Sequence, residues 1–320
     1  MEKSFSSAQE GFGYFLTKLI SVGFVCKRFS KNKLAMLGLF LVIILVFLAL
    51  SADLFFDYHD DAVLQDIRNR LQRPGENMEH ILGTDQYGRD MLARIIYGAR
   101  VSLAISVAVI SISTVLGIII GGLAAFYGGI VDNVIMRIND IFYSIPFTLM
   151  AISIVASLGG GIPNLVMACT IGVVPGFARI FRSAIMPIKT QEFIEAAKAS
   201  GSSELRIFVK HIVPNALGQI IVQATLHLAS TILAISGLSY IGLGIESPTP
   251  EWGAMLSEAR NHMREYPYLV VVPGIAIRLE WSGGINADSK VAVLFSGFAE
   301  YGKEQHTGRE KEIERIDCCQ

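Results

Sequence analysis

The sequence predicts an all-α polytopic membrane protein, and its composition and its charge patterning both support that prediction. Hydrophobic residues make up 52% of the 320-residue chain and charged residues only 17%, against roughly 25% charged residues in soluble domains. Uncharged stretches long enough to cross a hydrocarbon core of about 30 Å recur along the chain. The net charge of −1 creates no overall field that would attract nucleic acid. The 4 cysteines lack the spacing of a disulfide framework or a metal site.

The first predicted span covers residues 34–52, which carry no charge. This stretch begins too far into the chain for a cleavable signal peptide. Because basic residues precede it, the positive-inside rule places the N-terminal segment 1–33 in the cytoplasm and the polar segment 53–98 outside. Several arginines within 53–98 oppose that orientation, although the charge bias weakens in longer loops. The basic residues before the span are Lys27, Arg28, Lys31 and Lys33.

Four further spans are predicted from three long uncharged stretches. Residues 101–131 form one span, and residues 215–245, whose only basic or acidic residue is His227, form another. The stretch 141–178 is too long for a single pass of about 20 residues. A Gly-Gly-Gly-Ile-Pro sequence at 159–163 divides it into a hairpin, because glycine and proline interrupt helices. The sequence therefore predicts five spans up to residue 245.

A sixth span is predicted to be defective. Residues 266–277 are uncharged, but this stretch is shorter than the roughly 17 residues needed to cross. Arg278 and Glu280 follow, and a charge at the bilayer centre costs roughly 2.5–3.5 kcal/mol. We therefore expect weak insertion of this segment and low or absent transport by the chain.

A charged segment at 190–214 separates the hairpin from the fifth span and is predicted to form a two-helix elbow. Thr190 is suited to cap the first helix, and Gly201 to end it in the left-handed conformation. Ser202 or Ser203 can cap the second helix. The predicted apolar face of that second helix consists of Leu205, Phe208 and Ile212.

Three interpretations of this elbow compete. An amphipathic linker at the membrane surface is the simplest. A helix-turn-helix DNA reader needs a soluble domain that is free to enter a major groove, which a segment tied to membrane helices at both ends is not. A docking element for a cytoplasmic partner would explain the small alanines and the apolar side chains on a charged background.

Particular residues in the elbow resemble the "EAA" coupling loop of ABC importer permeases. They are Glu195-Ala196-Ala197, Gly201 four residues later, and Ile212-Val213-Pro214 at the end. A second group resembles the C-type subunit of the dipeptide/oligopeptide/nickel permease family. Its main blocks are Leu82-Gly83-Thr84-Asp85, Gly88-Arg89-Asp90, Ser239-Tyr240-Ile241-Gly242-Leu243-Gly244 and Glu251-Trp252-Gly253.

The resemblance implies a type I ABC importer permease bundle in a bacterial-type inner membrane. It also implies a homologous permease subunit, two cytoplasmic ATPases and an extracytoplasmic solute-binding protein as partners, besides the lipid bilayer. No cofactor is expected on this chain, because ATP and magnesium would bind the ATPases. The cargo stays open between dipeptide, longer peptide and nickel chelate. The implied ATPase-coupling residues are Glu195, Ala196, Ala197, Gly201, Leu205, Phe208, Ile212 and Pro214.

Polar residues within the spans have structural and functional interpretations. Gln223 and His227 share a helical face and are candidates for the translocation pathway, although a lone histidine more often bonds a neighbouring helix. Arg137 and Asp140, three residues apart, are predicted to pair with each other. Gly117 and Gly121 have the spacing of close helix packing.

The domain organisation predicted from these features is a permease core at 99–277 followed by an atypical C-terminal tail at 278–320. The tail resembles nothing in the family and is predicted to be disordered. Only residues 297–303 approximate the spacing of a nucleotide-binding loop, and the next residue is Glu304 where that loop requires a hydroxyl side chain. No enzymatic activity is therefore predicted. The alternatives to a working permease are a non-functional frameshifted copy and a membrane-anchored regulator.

Overall fold

The computed structural model describes residues 33–283, and everything in this range is helix, turn or loop apart from one isolated bridge between Thr84 and Asp90. The α-helices are α1 (Lys33–Leu50), α2 (Ala52–Phe55), α3 (Met91–Tyr127), α4 (Gly129–Tyr143), α5 (Phe147–Leu158), α6 (Ile162–Lys189), α7 (Glu192–Ala199), α8 (Glu204–Ile207), α9 (Val213–Tyr240), α10 (Trp252–Ala259) and α11 (268–283). Shorter helical turns lie at Tyr58–Val63, Ile67–Asn69 and Phe208–Ile212.

Three helices in the described range are long and apolar enough to cross a membrane: α3, α6, and the continuous run Glu204–Tyr240 that contains α8 and α9. Helices α4 and α5 meet the same requirement only as a pair. Helix α1 is apolar but shorter. The all-helical, multi-pass architecture predicted from the sequence is therefore confirmed, whereas the exact number of spans stays a prediction.

The hairpin predicted at 159–163 is confirmed, since helix α5 ends at Leu158 and α6 begins at Ile162. The third span, predicted to start at 141, begins within α4, and α4 and α5 are bent by 79° relative to each other. The bend coincides with Pro146, which lacks a backbone donor and restricts the residue before it.

Helices α3 and α6 form the centre of the bundle, and glycines let their backbones approach. A Cβ atom on Gly121 would lie 2.0 Å from the Ala178 carbonyl oxygen, and one on Gly117 would lie 2.8 Å from Phe177. Any larger side chain at Gly121 would therefore collide with the α6 backbone. The close packing predicted from the Gly117–Gly121 spacing is confirmed.

Helix α11 continues past the point where the sixth predicted span ends. It runs through Arg278 and Glu280 to residue 283. At its end, a Cβ atom on Gly283 would lie 3.1 Å from Val42 of α1. The predicted tail at 278–320 lies outside the described residues except for 278–283, and so does the stretch 297–303.

Candidate functional site

The elbow forms between α6 and α9, as the sequence predicts, but its first cap is different. Gln191, not Thr190, stands at the N-cap of α7, and it makes no side-chain capping bond. The Thr190 hydroxyl instead donates to the Pro187 carbonyl at 3.1 Å. Because α6 ends at Lys189 and α7 starts at Glu192, two residues complete the turn and leave no flexible spacer.

Gly201 ends the first helix of the elbow in the predicted left-handed conformation. Its φ angle is +76°, which costs a side-chain-bearing residue about 1–2 kcal/mol. The Gly201 amide donates to the Lys198 carbonyl at 2.9 Å, and the Ser202 amide donates to the Ala197 carbonyl at 3.2 Å. This bonding pattern is the Schellman motif, which fixes the angle between the two arms of the elbow.

The second arm departs from the predicted single apolar face. Ser203 is its N-cap but makes no side-chain capping bond, and a π-helical turn at Phe208–Ile212 changes the periodicity. Leu205 is 74% exposed, while Ile212 is fully buried. The predicted common face of Leu205, Phe208 and Ile212 is therefore wrong, and the wider turn between Phe208 and Ile212 takes Ile212 out of the α-helical register.

One set of elbow side chains anchors it to the bundle. Ile194, Ile207 and Ile212 are buried in a single core cluster with residues of α6 and α9. The Phe208 ring fills the space over Gly122 of α3, where an added Cβ would lie 2.6 Å from the ring. Because these contacts reach α3, α6 and α9 together, the elbow is a rigid extension of the central helices.

The opposite surface of the elbow is exposed in the part of the chain that the structure describes. Leu205 and Val209 are 74% and 55% exposed, and Phe193 is 39% exposed. Glu195 and Ala196 are also exposed, whereas Ala197 packs against the core cluster. The elbow therefore presents apolar side chains outward from a rigid base. Pro214 lies in the first turn of α9, as predicted from its position.

Gln223 and His227 lie on α9 and are both half-buried, away from the elbow. The His227 ring contacts the Phe177 ring of α6, with the ring centres 4.9 Å apart. The histidine thus packs between two central helices. No group of three or more His, Cys, Asp or Glu side chains that could hold a metal ion is found between residues 33 and 283.

Two ion pairs join α4 to α6, and the sequence prediction missed both. Arg179 donates to Asp140 at 2.7 Å and stacks on the Tyr143 ring at 4.0 Å. Arg182 donates to both carboxylate oxygens of Asp132, at 2.5 and 2.6 Å. The predicted Arg137–Asp140 pair is therefore wrong, since Asp140 is engaged across the helix interface. The sequence signal that could have indicated these pairs is the presence of two arginines near the end of the otherwise apolar α6.

A second charged cluster lies at the other end of the bundle. Asp85 accepts from Arg89 at 2.6 Å and from Arg94 at 2.7 Å. The same two arginines contact Glu258 of α10, at 2.7 and 3.2 Å. Burial raises the pKa of Glu258, which Arg89 opposes. These four charges connect the segment before α3 to the segment before α11.

Glu251 and Trp252 secure α10 beside this cluster. The Glu251 carboxylate accepts from the amides of Gly253 and Ala254 at 2.9 and 2.8 Å, which caps the helix. Burial raises the pKa of Glu251. The Trp252 indole donates to the Ile95 carbonyl at 3.0 Å and is fully buried. The block Glu251-Trp252-Gly253 thus packs against α3.

Apolar helices of spanning length, joined by a rigid elbow that protrudes from the bundle, define a multi-pass membrane transport permease. Comparison with known families agrees with that class. The family described as "Binding-protein-dependent transport system inner membrane component" matches residues 113–279. The N-terminal TM domain of oligopeptide transport permease C matches residues 25–74. The chain belongs to this family of ABC importer permeases, of the C type that the sequence resembles.

Individual relatives support the assignment over most of the chain. The dipeptide transport system permease protein DppC of Alkalihalophilus pseudofirmus is 41% identical over 79% of this chain and 82% of its own. The glutathione transport system permease protein GsiD of Escherichia coli O6:K15:H31 is 38% identical, with the same shares covered.

A solved structure with a similar fold is the inward-facing MetNI methionine ABC transporter. It gives a TM-score of 0.52 at 21% identity, covering 64% of this chain and 97% of that one. A likeness at this identity supports the fold alone.

Proposed function

We propose that this chain is the permease subunit of an ATP-driven importer of dipeptides or similarly short peptides, such as glutathione. The observation that carries this proposal is the rigid elbow with outward apolar side chains, within a chain related to the two peptide permeases named above. The short peptide class follows from those relatives. The chain itself carries out no catalysis in this scheme, because ATP and magnesium bind the partner ATPases.

The elbow residues divide into docking and anchoring groups. Leu205 is the most exposed apolar side chain of the elbow, and with Glu195 and Ala196 it would enter a cleft on an ATPase. Phe208 and Ile212 would transmit the resulting movement, because they pack on the membrane helices. Gly201 fixes the angle between the docking and anchoring parts. Ala197 and Pro214 complete the set by packing on the core and by starting α9.

The proposed assembly contains a homologous permease, two cytoplasmic ATPases and an extracytoplasmic solute-binding protein. The N-terminus lies in the cytoplasm, on the same side as the elbow. Five spans are formed by α1, α3, the α4–α5 pair, α6 and α9. Gln223 and His227 on α9 are proposed to face the pathway between the two permeases, since intramembrane polar residues favour such a role.

Helix α11 is proposed to be a short sixth span rather than a failed one. At 1.5 Å per residue, its described residues extend roughly 24 Å. Its end packs beside Gly38 and Val42, in the N-terminal part of α1. That contact brings the end of α11 to the same side of the membrane as the start of α1. Of the two charged residues in this helix end, Arg278 is exposed, whereas Glu280 is 4% exposed and its carboxylate oxygens have no hydrogen-bond partner among the described residues.

The position of the C-terminus tests this topology. Cys318 and Cys319 are labelled with a membrane-impermeant thiol reagent in intact cells, with Cys26 and Cys169 changed to serine. We expect protection until the cells are opened. As a control, a cysteine at Met78, which is 95% exposed in the outer segment, should label in intact cells. Strong labelling of the C-terminal pair in intact cells would instead support a five-span product.

The proposed function is tested by purifying the tagged chain from its native membranes and reconstituting it in liposomes. We expect a second permease and ATPase subunits in the complex, and dipeptide uptake that depends on ATP and is competed by glutathione. Recovery without any ATPase, or retention of specific DNA at physiological salt, would contradict the proposal. A complex that hydrolyses ATP but moves no peptide would contradict the proposed cargo.

A further inference from the structure

The contacts between α4 and α6 follow one antiparallel register. Asp132 pairs with Arg182, and Asp140 pairs with Arg179. Beside Asp140, the side-chain amide of Asn139 donates to the Pro175 carbonyl, one turn before Arg179 on α6, at 3.0 Å. The α4 positions 132, 139 and 140 lie on one helical face. We refer to these contacts as the α4–α6 clamp (Asp132, Asn139, Asp140, Pro175, Arg179 and Arg182).

The clamp is stronger than ordinary surface pairing. Arg182 binds Asp132 through two parallel hydrogen bonds, a geometry that adds energy and directional preference. The two side chains are 30% and 14% exposed, so solvent screens them only in part. Arg179 is held by a carboxylate on one side and by the Tyr143 ring on the other.

Helix α4 is bounded by a break in the backbone at each end. Gly128 and Gly129, both with positive φ, separate it from α3. The 79° bend before Phe147 separates it from α5. Its face opposite the clamp is apolar and exposed, with Ile130 at 82% and Ile141 at 66%. The clamp is therefore the polar attachment that sets where this short helix lies.

The clamped part of α6 leads directly into the elbow. Arg182 lies two turns before Lys189, where α6 ends. Ile185 and Ile188 of α6 are buried in the same cluster as Ile194 of the elbow. A displacement of the elbow therefore moves the arginines of the clamp with it, because no flexible segment separates them.

We propose that the α4–α6 clamp makes α4 a lever, which carries movement of the elbow to the bend at 144–146 and so to α5. The charged residues of the clamp are positioning residues for transport, and they contact neither cargo nor nucleotide. The inference rests on the proposed function, since ATPase docking supplies the movement. Two rigid helices joined by such contacts are the type of element that transmits rigid-body switching.

Distances between spin labels test the mechanical link in the full-length chain in lipid nanodiscs. The labels are attached through Ile130→Cys on α4 and Ser200→Cys at the end of α7, with the native cysteines changed to serine. We expect one narrow distance distribution in the parent chain. It should broaden in the Asp132→Asn/Asp140→Asn variant. It should narrow again when Asp132→Arg and Arg182→Asp exchange the charges of the main pair.

Transport provides the second measurement, in the reconstituted importer. The Asp132→Asn/Asp140→Asn variant should keep its partners and hydrolyse ATP, while peptide uptake per ATP falls roughly tenfold, a typical size for coupling between sites. A purely structural role would lower uptake and hydrolysis together. The matched control is Asp53→Asn, which removes the partner of Arg100 at the other end of the bundle and should leave the ratio unchanged.

The two measurements separate failure of the inference from failure of the proposed function. An unchanged distance distribution in the Asp132→Asn/Asp140→Asn variant would overturn the lever, whatever the transport activity. An unchanged uptake per ATP would also overturn it. A parent complex that recruits no ATPase would refute the proposed function, while the distance measurement would still decide whether α4 follows the elbow.

Discussion

The two ends of the bundle both use arginine–carboxylate pairs, but they place them in different surroundings. At the end formed by 53–98 and 241–267, Arg89 and Arg94 are 0% and 1% exposed and share Asp85 and Glu258. At the elbow end, Arg179 and its partner Asp140 are each 48% exposed. A buried pair that loses one member leaves an uncompensated charge, whereas water can replace the partner of an exposed one.

The apolar side chains differ in the same way. Trp252 at the first end is fully buried and hydrogen-bonded, whereas Leu205 at the elbow is 74% exposed. The Trp252 part of the first end is therefore closed by contacts within this chain, while Ile67 and Met78 at the same end are 71% and 95% exposed. The elbow has a buried base and an exposed outer surface, which we propose as the docking surface. On that proposal, the buried contacts at the first end stabilise the fold and the elbow end supplies the coupling.

The largest expected effect comes from opening the buried cluster. Arg94→Ala would leave Asp85 with one partner fewer in a buried site, and removing one member of a buried pair costs about 3–5 kcal/mol. We expect a correspondingly lower free energy of unfolding in detergent and poor accumulation in membranes. The matched control is Arg100→Ala, because the Arg100–Asp53 pair is largely exposed. Equal stability losses in the two variants would remove the distinction between buried and exposed pairs.

An intermediate effect is expected at the turn of the elbow. Gly201→Val forces a β-branched residue into φ +76°, at a cost of about 1–2 kcal/mol. Among residues 33–283, no other group lies within 4 Å of a Cβ at this position, so the expected effect is backbone strain. We expect the variant to insert normally but to lose peptide uptake and transport-stimulated ATP hydrolysis. Gly201→Asn, which tolerates the left-handed conformation, should retain most of both activities.

The smallest effect on stability, with a loss of coupling, is expected on the outer surface of the elbow. Leu205→Ser removes an apolar side chain that makes little contact within the chain, so the free energy of unfolding should change by less than about 0.5 kcal/mol. ATPase recovery in pull-downs should nevertheless fall. The control is Ile207→Ser. The Ile207 side chain is 1% exposed, so this substitution should lower the free energy of unfolding. Undiminished ATPase binding by Leu205→Ser would show that this surface is not the docking surface.

Local sequence signals predicted much of the elbow but not its side-chain directions. The left-handed Gly201 and the start of α9 at Pro214 depend on neighbouring backbone alone, and both were predicted correctly. The cap at Thr190 and the common face of Leu205 and Ile212 were not. The π-helical turn at Phe208–Ile212 lies where both residues pack on the central helices, and that packing is invisible in a local pattern.

An all-helical, multi-pass membrane permease could be predicted from the sequence, because uncharged length and the order of short motifs are properties of the chain alone. Which charges pair could not be predicted in the same way. Asp140 pairs with Arg179 and not with its near neighbour Arg137. Two arginines bridge the carboxylates of Asp85 and Glu258. Ion pairing depends on distances of a few ångströms between side chains far apart in sequence, and only helix packing sets those distances.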